Sequence, residues 1–304
     1  MKQSFYSNGK LLLTGEYVVL DGANSLAIPT RFGQSLHVEE IEQKEIFWRS
    51  YNVENQLWLK AKITWDKDLV FSSEAKTPEV EVLLKAFQWI SKQQPQLFSA
   101  SGYKFVSKLD FPNNWGLGSS STFVNNLALW SKTDAYQLQE LLFGGSGYDV
   151  ACAKYDFPIL FQRNYPNHLV EQVRFDPPFA DELFFVHLNQ KKNSREAIQH
   201  YRAQTALFIE DAVLRINDIT QQMLRAKTVS DFEKLMKSHE KIIATLLQTP
   251  PIQQELFADY PRQIKSLGGW GGDFILATGG ENEKAYFRDK GYTTILSYTD
   301  MVLG

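Results

Sequence analysis

An α+β fold is predicted by three features of the 304-residue chain. Residues 35–65 alternate polar with aromatic or β-branched side chains, as in SLHVEEI, EIFWRSY and LWLKAKITW. That period of two belongs to half-buried strands. Residues 119–155 read as short helices interrupted by glycine, and 194–267 carry mostly helical spacing with turn signals near 227–230 and 249–251. A strand-rich first half followed by a helix-rich second half places a boundary near 180–195. The expected domains are 1–185 and 186–304, and without a Ser/Gly-rich linker they are expected to share a large interface.

The elements follow in order. Residues 11–20, LLLTGEYVVL, hold two apolar runs around a Thr-Gly-Glu break. Helical spacing begins at Pro78, which suits a first turn. Val82, Leu83, Ala86, Phe87 and Ile90 then recur at steps of three and four, predicting a helix over 78–93. Residues 103–111 return to strand. Helices are expected at 119–131, 134–143 and 147–155, and strands at 158–162, 169–175 and 182–188. The last forty residues read strand (273–278), helix (281–290) and strand (292–298).

Composition excludes several classes of function. Hydrophobic residues are 43% and charged residues 22%, ordinary values for a globular protein. The net charge of −3 leaves no basic excess for a nucleic-acid backbone. The one cysteine, Cys152, cannot form an internal disulfide, and it reads as a buried packing residue. The five histidines are scattered, and His239-Glu240 lacks the second histidine of a zinc helix. The start is too polar for a signal peptide, and no apolar run approaches the roughly 18 residues of a membrane span. The expectation is a cytoplasmic protein without a membrane or nucleic-acid partner.

Four segments carry chemistry. Pro112 to Thr122, PNNWGLGSSST, follows a strand and opens a helix. Its glycines let backbone approach a ligand, and helix N–H groups favour an anion. It lacks the Gly-Lys-Ser/Thr of a Walker A loop and the third glycine of a dinucleotide fingerprint. A phosphate cradle and a plain Ser-capped turn weigh about evenly on this segment alone. Lys265 to Asp273, KSLGGWGGD, has more glycine than a hairpin needs, which favours a loop close to backbone or ligand. Lys10 sits among apolar residues, where an edge-strand charge is the first reading for it and for Glu16. Asp149, in GGSGYDVA, falls in the first turn of a helix, where an acid is favoured by the dipole alone.

Together these segments resemble the superfamily of galactokinase, homoserine kinase, mevalonate kinase and phosphomevalonate kinase. The order Gly-Lys…Gly-Glu-Tyr, Pro-x3-Gly-Leu-Gly-Ser-Ser, Ser-Gly-x-Asp and Lys-x-x-Gly-x-x-Gly-Gly carries the likeness, over roughly 5–20, 112–155 and 262–280. The opening is most similar to the mevalonate and phosphomevalonate branch, and the Gly145–Val150 string leans toward the latter.

The resemblance implies a two-lobed fold with mixed sheets and an active site in the inter-lobe cleft. It implies ATP with Mg²⁺, and a small hydroxyl substrate, first mevalonate and second phosphomevalonate. It also assigns residues. Gly116, Leu117, Gly118, Ser119, Ser120 and Ser121 match the nucleotide loop, and Ser120 matches the serine that reaches Mg²⁺. Lys10 and Asp149 match the catalytic lysine and aspartate. Glu16, Ser146, Ser194 and Gly269 match substrate-side positions, and Glu140 is the nearest acid for the metal. The implied assembly is a monomer or homodimer. Departures are Asn8 for a usual proline, Ser121-Thr122 for a small apolar pair, Trp270 for a small residue and Arg195 for a threonine. A non-catalytic ligand sensor on the same fold is the alternative of another class.

Overall fold

The computed structural model describes residues 1–165, 167–190, 198–199, 201–203, 206–268 and 272–304. The chain divides into two compact units, each discontinuous in sequence. One comprises residues 1–9, 32–113 and 117–154; the other comprises 10–31, 114–116 and 155–304.

The first unit is built on β2 (Ser25–Ile41), β3 (Glu45–Tyr51), β4 (Leu57–Trp65), β5 (Phe71–Ser73) and β6 (Gly102–Leu109). The strand order is β5-β4-β3-β6-β2, and β1 (Lys2–Leu12) also pairs with β2. β3 runs parallel to β6, while β4 pairs antiparallel with both β3 and β5. β2 pairs antiparallel with β6 from Gln34↔Leu109 to Ile41↔Gly102. Helix α1 (Pro78–Gln93) forms as predicted. Thr77 Oγ1 accepts from Val80 N, Pro78 opens the first turn, and Val80, Leu83, Ala86, Phe87 and Ile90 are buried. They meet Trp48 and Phe105, whose rings stack at 5.2 Å, and Trp130 edge-on to Phe105 at 4.8 Å. Trp48 Nε1 donates to Ser50 Oγ at 2.7 Å, so the largest core side chain keeps its polar atom paired. Helices α2 (Ser119–Ser131), α3 (Ala135–Leu142) and α4 (Tyr148–Lys154) complete this unit.

In the second unit the first residues of β2, Ser25–Ala27, pair antiparallel with β7 (Ile159–Gln162), which pairs with β8 (Leu169–Gln172). A separate antiparallel sheet has the order β10-β11-β9-β12. Its strands are β9 (Leu183–His187), β10 (Ile264–Ser266), β11 (Phe274–Thr278) and β12 (Ile295–Ser297). Helices α5 (Ala206–Arg225), α6 (Val229–Leu247), α7 (Ile252–Leu256), α8 (Glu281–Asp289) and α9 (Tyr298–Met301) belong here. Phe184, Phe257, Tyr260 and Phe287 form the centre of its core.

Residues 2–12 form a strand whose first part, 2–6, alternates exposed and half-buried and whose second part, 7–12, is enclosed. Residues 18–21 form a 3-10 turn entered through Gly15 and Tyr17, which take positive φ of 93° and 66°. One departure from the sequence expectation has a physical cause. Residues 264–266, inside the helical stretch, become β10 because β11 supplies their ladder partners.

Candidate active site

The glycine loop between β6 and α2 is set by close approach. Gly116 has φ 67°, and a Cβ there would lie 2.2 Å from Asp273 Oδ2. Both the left-handed backbone and the missing side chain are therefore required. Trp115 packs edge-on to Phe274 at 5.5 Å. His187 Nε2–H donates to Asn114 O at 3.1 Å, and Asn189 N donates to His187 Nδ1, which fixes that tautomer. Lys10, buried on β1, donates from Nζ to Gly116 O at 3.3 Å. Lys10 and Gly116 are thus brought together, 106 residues apart in sequence.

Gly118, with φ 88°, is the N-cap of α2. The first intrahelical bond runs from Thr122 N to Gly118 O at 3.0 Å. Helix geometry leaves the N–H groups of Ser119, Ser120 and Ser121 without an intrahelical acceptor, and the helix dipole favours an anion beside them. The hydroxyls divide into two sets. Ser121 Oγ donates to Gly118 O at 2.8 Å and Thr122 Oγ1 to Gln34 Oε1 at 2.6 Å, and both residues are buried. These two seat the helix, so Ser121 offers a ligand its amide rather than its hydroxyl. Ser119 is half-buried and Ser120 exposed, while Leu117 is fully buried. Polar side chains also hold the inner face of α2. Ser7 Oγ donates to Asn126 Oδ1, Asn126 Nδ2 to Gln34 O, and Gln34 Nε2 to Ser107 Oγ, all within 2.9 Å. Directional bonds fix the helix start more sharply than apolar contact would.

The acidic turn rests on Gly144, Gly145 and Gly147, with φ of 69°, 105° and 91°. Ser146 is buried, and its Oγ accepts from Tyr148 N at 3.4 Å. Asp149 lies half-exposed in the first turn of α4, and Cys152, one turn on, is buried.

Glu16 is enclosed in a cluster of ionisable groups, 3% exposed. Oε1 pairs with Lys265 Nζ, and Oε2 lies 3.1 Å from His239 Nε2. Gly15 N donates to the same His239 nitrogen at 3.0 Å. Glu240 Oε1 is 3.8 Å from Lys265 Nζ, and its Oε2 accepts from Ser266 Oγ at 3.0 Å. Burial alone pushes the Glu16 carboxyl up, but Lys265 and His239 outweigh it and hold the group below the usual range. Burial, with Lys265 adding to it, pushes His239 down. Burial pushes Glu240 up to about 7 against the pull of Lys265. The cluster is therefore one ion pair, Glu16 with Lys265, flanked by an imidazole whose Nε2 takes the Gly15 N–H and by a carboxyl that keeps its proton into the neutral range.

No family model and no curated protein matches the sequence itself. Solved structures match throughout. Mevalonate kinase from Methanococcus jannaschii aligns at 16% identity over 97% of each chain, with a TM-score of 0.69. Galactokinase from Lactococcus lactis, solved with galactose, aligns at 13% identity over 100% of this chain and 94% of the other, with a TM-score of 0.70. Phosphomevalonate kinase from Streptococcus pneumoniae, solved with phosphomevalonate and AMPPNP, aligns at 15% identity over 97% and 99%, with a TM-score of 0.68. The chain has the GHMP-kinase fold. Its α+β architecture of mixed sheets and helices is the one expected from the sequence.

Within this GHMP-kinase fold, Ser194, Gly269, Trp270 and Arg195 lie outside the described residues. Glu140 is exposed on α3. Among the described residues no group of three or more His, Cys, Asp or Glu side chains is placed to hold a metal, and no helix is long and apolar enough to cross a membrane. Mg²⁺ carried by a nucleotide takes most of its ligands from phosphate and water and asks one or two oxygens of the protein. The exposed Ser120 hydroxyl at the start of α2 fits that demand. Sequence reasoning missed Asp273, His187 and the partners of Glu16. Only the run Lys265–Asp273 hinted at the first.

Proposed function

We propose that this chain is an ATP-dependent kinase that transfers the γ-phosphoryl group to an alcohol, with mevalonate as the leading acceptor. The observation that carries the reading is the start of α2: three amides that helix geometry leaves without an intrahelical acceptor, beyond a two-glycine turn whose first carbonyl accepts from Lys10 Nζ. The shared fold with kinases of small hydroxylated substrates supports it.

Phosphoryl transfer asks the protein for alignment and charge neutralisation more than for covalent chemistry. The amides of Ser119–Ser121 hold nucleotide phosphate, and Lys10 offsets charge on the transferring group. Asp149 orients the acceptor hydroxyl and takes its proton late. Ser120 would hold the Mg²⁺ that accompanies ATP, and the ion would supply charge neutralisation at the phosphates. Glu16 and Ser146 are carried over from the family resemblance as acceptor-side residues. Phosphomevalonate is the second reading, favoured by the Gly-Ser-Gly-Tyr-Asp-Val string at 145–150. Arg163 is one cation for its added charge, with its Nη1 now on Leu20 O at 3.2 Å.

A coupled ADP-release assay with mevalonate, phosphomevalonate, galactose and amino alcohols in parallel tests this reading. Turnover is expected with mevalonate above the others. ADP release that no acceptor stimulates would remove the kinase assignment.

A further inference from the structure

The Gly15–Glu16–Tyr17 segment holds backbone strain. Tyr17 has φ 66° and ψ −51°, and Val18 N donates to Glu16 O at 2.8 Å. That is a γ-turn of the rare positive-φ kind, which few side-chain-bearing residues adopt. Strain of this sort persists only where the surroundings over-determine it.

The surroundings are a clamp with two jaws. On one side Thr14 Oγ1 takes Leu26 N at 2.9 Å and Thr220 Oγ1 at 2.7 Å, which fixes the chain just before the turn. The Tyr17 ring lies against that of Tyr201, whose hydroxyl donates to Asp21 at 2.6 Å. On the other side is the buried ion cluster. Gly15 N donates to His239 Nε2, and Glu16 Oε1 pairs with Lys265 Nζ while Oε2 lies beside the same imidazole nitrogen. Lys265 is fully buried in the middle of β10, paired in register with Leu276 and three residues before Gly268. Its Nζ also donates to Ser266 O at 3.0 Å.

A buried ion pair is a poor source of net stability, because apolar replacements of equal volume are often neutral or better. What it supplies here is direction. A carboxylate tied to one ammonium, next to an imidazole that takes the Gly15 N–H, has its backbone placed as well, and that backbone is the strained turn.

We propose that Lys265 is a positioning residue for the phosphoryl acceptor, acting through Glu16 and His239 on the Gly15–Tyr17 turn. Glu16 then serves the acceptor by shaping the turn from within the core, without touching it. The inference rests on the kinase reading for its catalytic consequence, and on the cluster's geometry for the clamp itself.

The test uses the full chain, Lys265→Met, and the double variant Glu16→Gln with Lys265→Met. Lys265→Met leaves a buried carboxylate uncompensated. It should lower the thermal midpoint, raise the KM for mevalonate at least ~10-fold, and leave the KM for ATP within about twofold. Amide hydrogen exchange at residues 15–18 should accelerate in the same variant. The double variant restores charge balance and should recover the thermal midpoint, while the mevalonate KM and the fast exchange persist. Recovery of all three together would overturn the proposal and reduce the cluster to charge balance. Unchanged KM and exchange in Lys265→Met would overturn it too. If the wild-type chain phosphorylates no alcohol, the kinase reading fails, and exchange at 15–18 in the two variants still decides whether the clamp exists.

Discussion

Asp149→Asn is expected to lower kcat by at least ~100-fold while the KM for ATP stays within about threefold. The asymmetry follows from where the residue sits. Asp149 belongs to the first turn of α4, a helix entered through three positive-φ glycines, whereas the amides proposed for the nucleotide belong to α2. Asparagine keeps the shape and the capacity to accept a hydrogen bond but cannot take a proton. At the second helical position the substitution removes only the modest favourable interaction of the charge with the helix dipole. Steady-state kinetics with ATP and acceptor varied separately, beside a thermal melt, make the comparison. Turnover near wild type would deny Asp149 the role of orienting base. A matched rise in both KM values with kcat intact would place it in binding alone.

Glu240→Gln is expected to stabilise the folded chain at pH 8 and change little at pH 5. The wild-type carboxyl is raised to about 7 from its ordinary 4.5 by burial. Between those values the folded chain holds a proton that the unfolded chain has released. Stability from this group is therefore present below about 4.5 and is lost as pH rises toward 7. Above that window the full penalty applies, on the order of 3 kcal/mol. Glutamine mimics the protonated acid, still accepts from the Ser266 hydroxyl, and carries no such penalty. His239 acts in the opposite sense. Its proton affinity is lowered by burial, so its contribution is lost as pH falls below the ordinary imidazole value of about 6.5. Glu16, held low by Lys265 and His239 against its burial, contributes stability that is lost as pH falls through the carboxylate range. Both groups are present in wild type and variant, so the difference between the two curves isolates Glu240. Denaturant unfolding at pH 5, 6, 7 and 8 measures it. A difference that does not grow with pH would mean Glu240 is ionised throughout.

Local pattern made much of this molecule legible. The helix over 78–93 was readable because its cap, its proline and its apolar spacing all agree. The helix over 119–131 has the predicted bounds, since Gly118 punctuates its start. The glycine-serine loop before α2 and the acidic turn were visible as strings. What was not visible is what tertiary packing decides. Ser121 and Thr122 read as cradle hydroxyls, yet both turn inward, and the partner that claims Thr122 is Gln34, 88 residues away. Glu16 and Lys265 are separated by 249 residues, and each alone reads as an ordinary charge. His239 and Glu240 were weighed only against a zinc motif, because no periodicity marks a pair of adjacent helix residues that face a buried lysine. Asp273 closes over Gly116 across a gap that no string of letters records.

The N–H groups at the start of α2 are proposed to hold the phosphates of a nucleotide. A structure of the chain with AMPPNP and Mg²⁺ is expected to show phosphate oxygens within hydrogen-bond distance of the amides of Ser119, Ser120 and Ser121. Nucleotide phosphates seated elsewhere, with those three amides in contact with water alone, would contradict it.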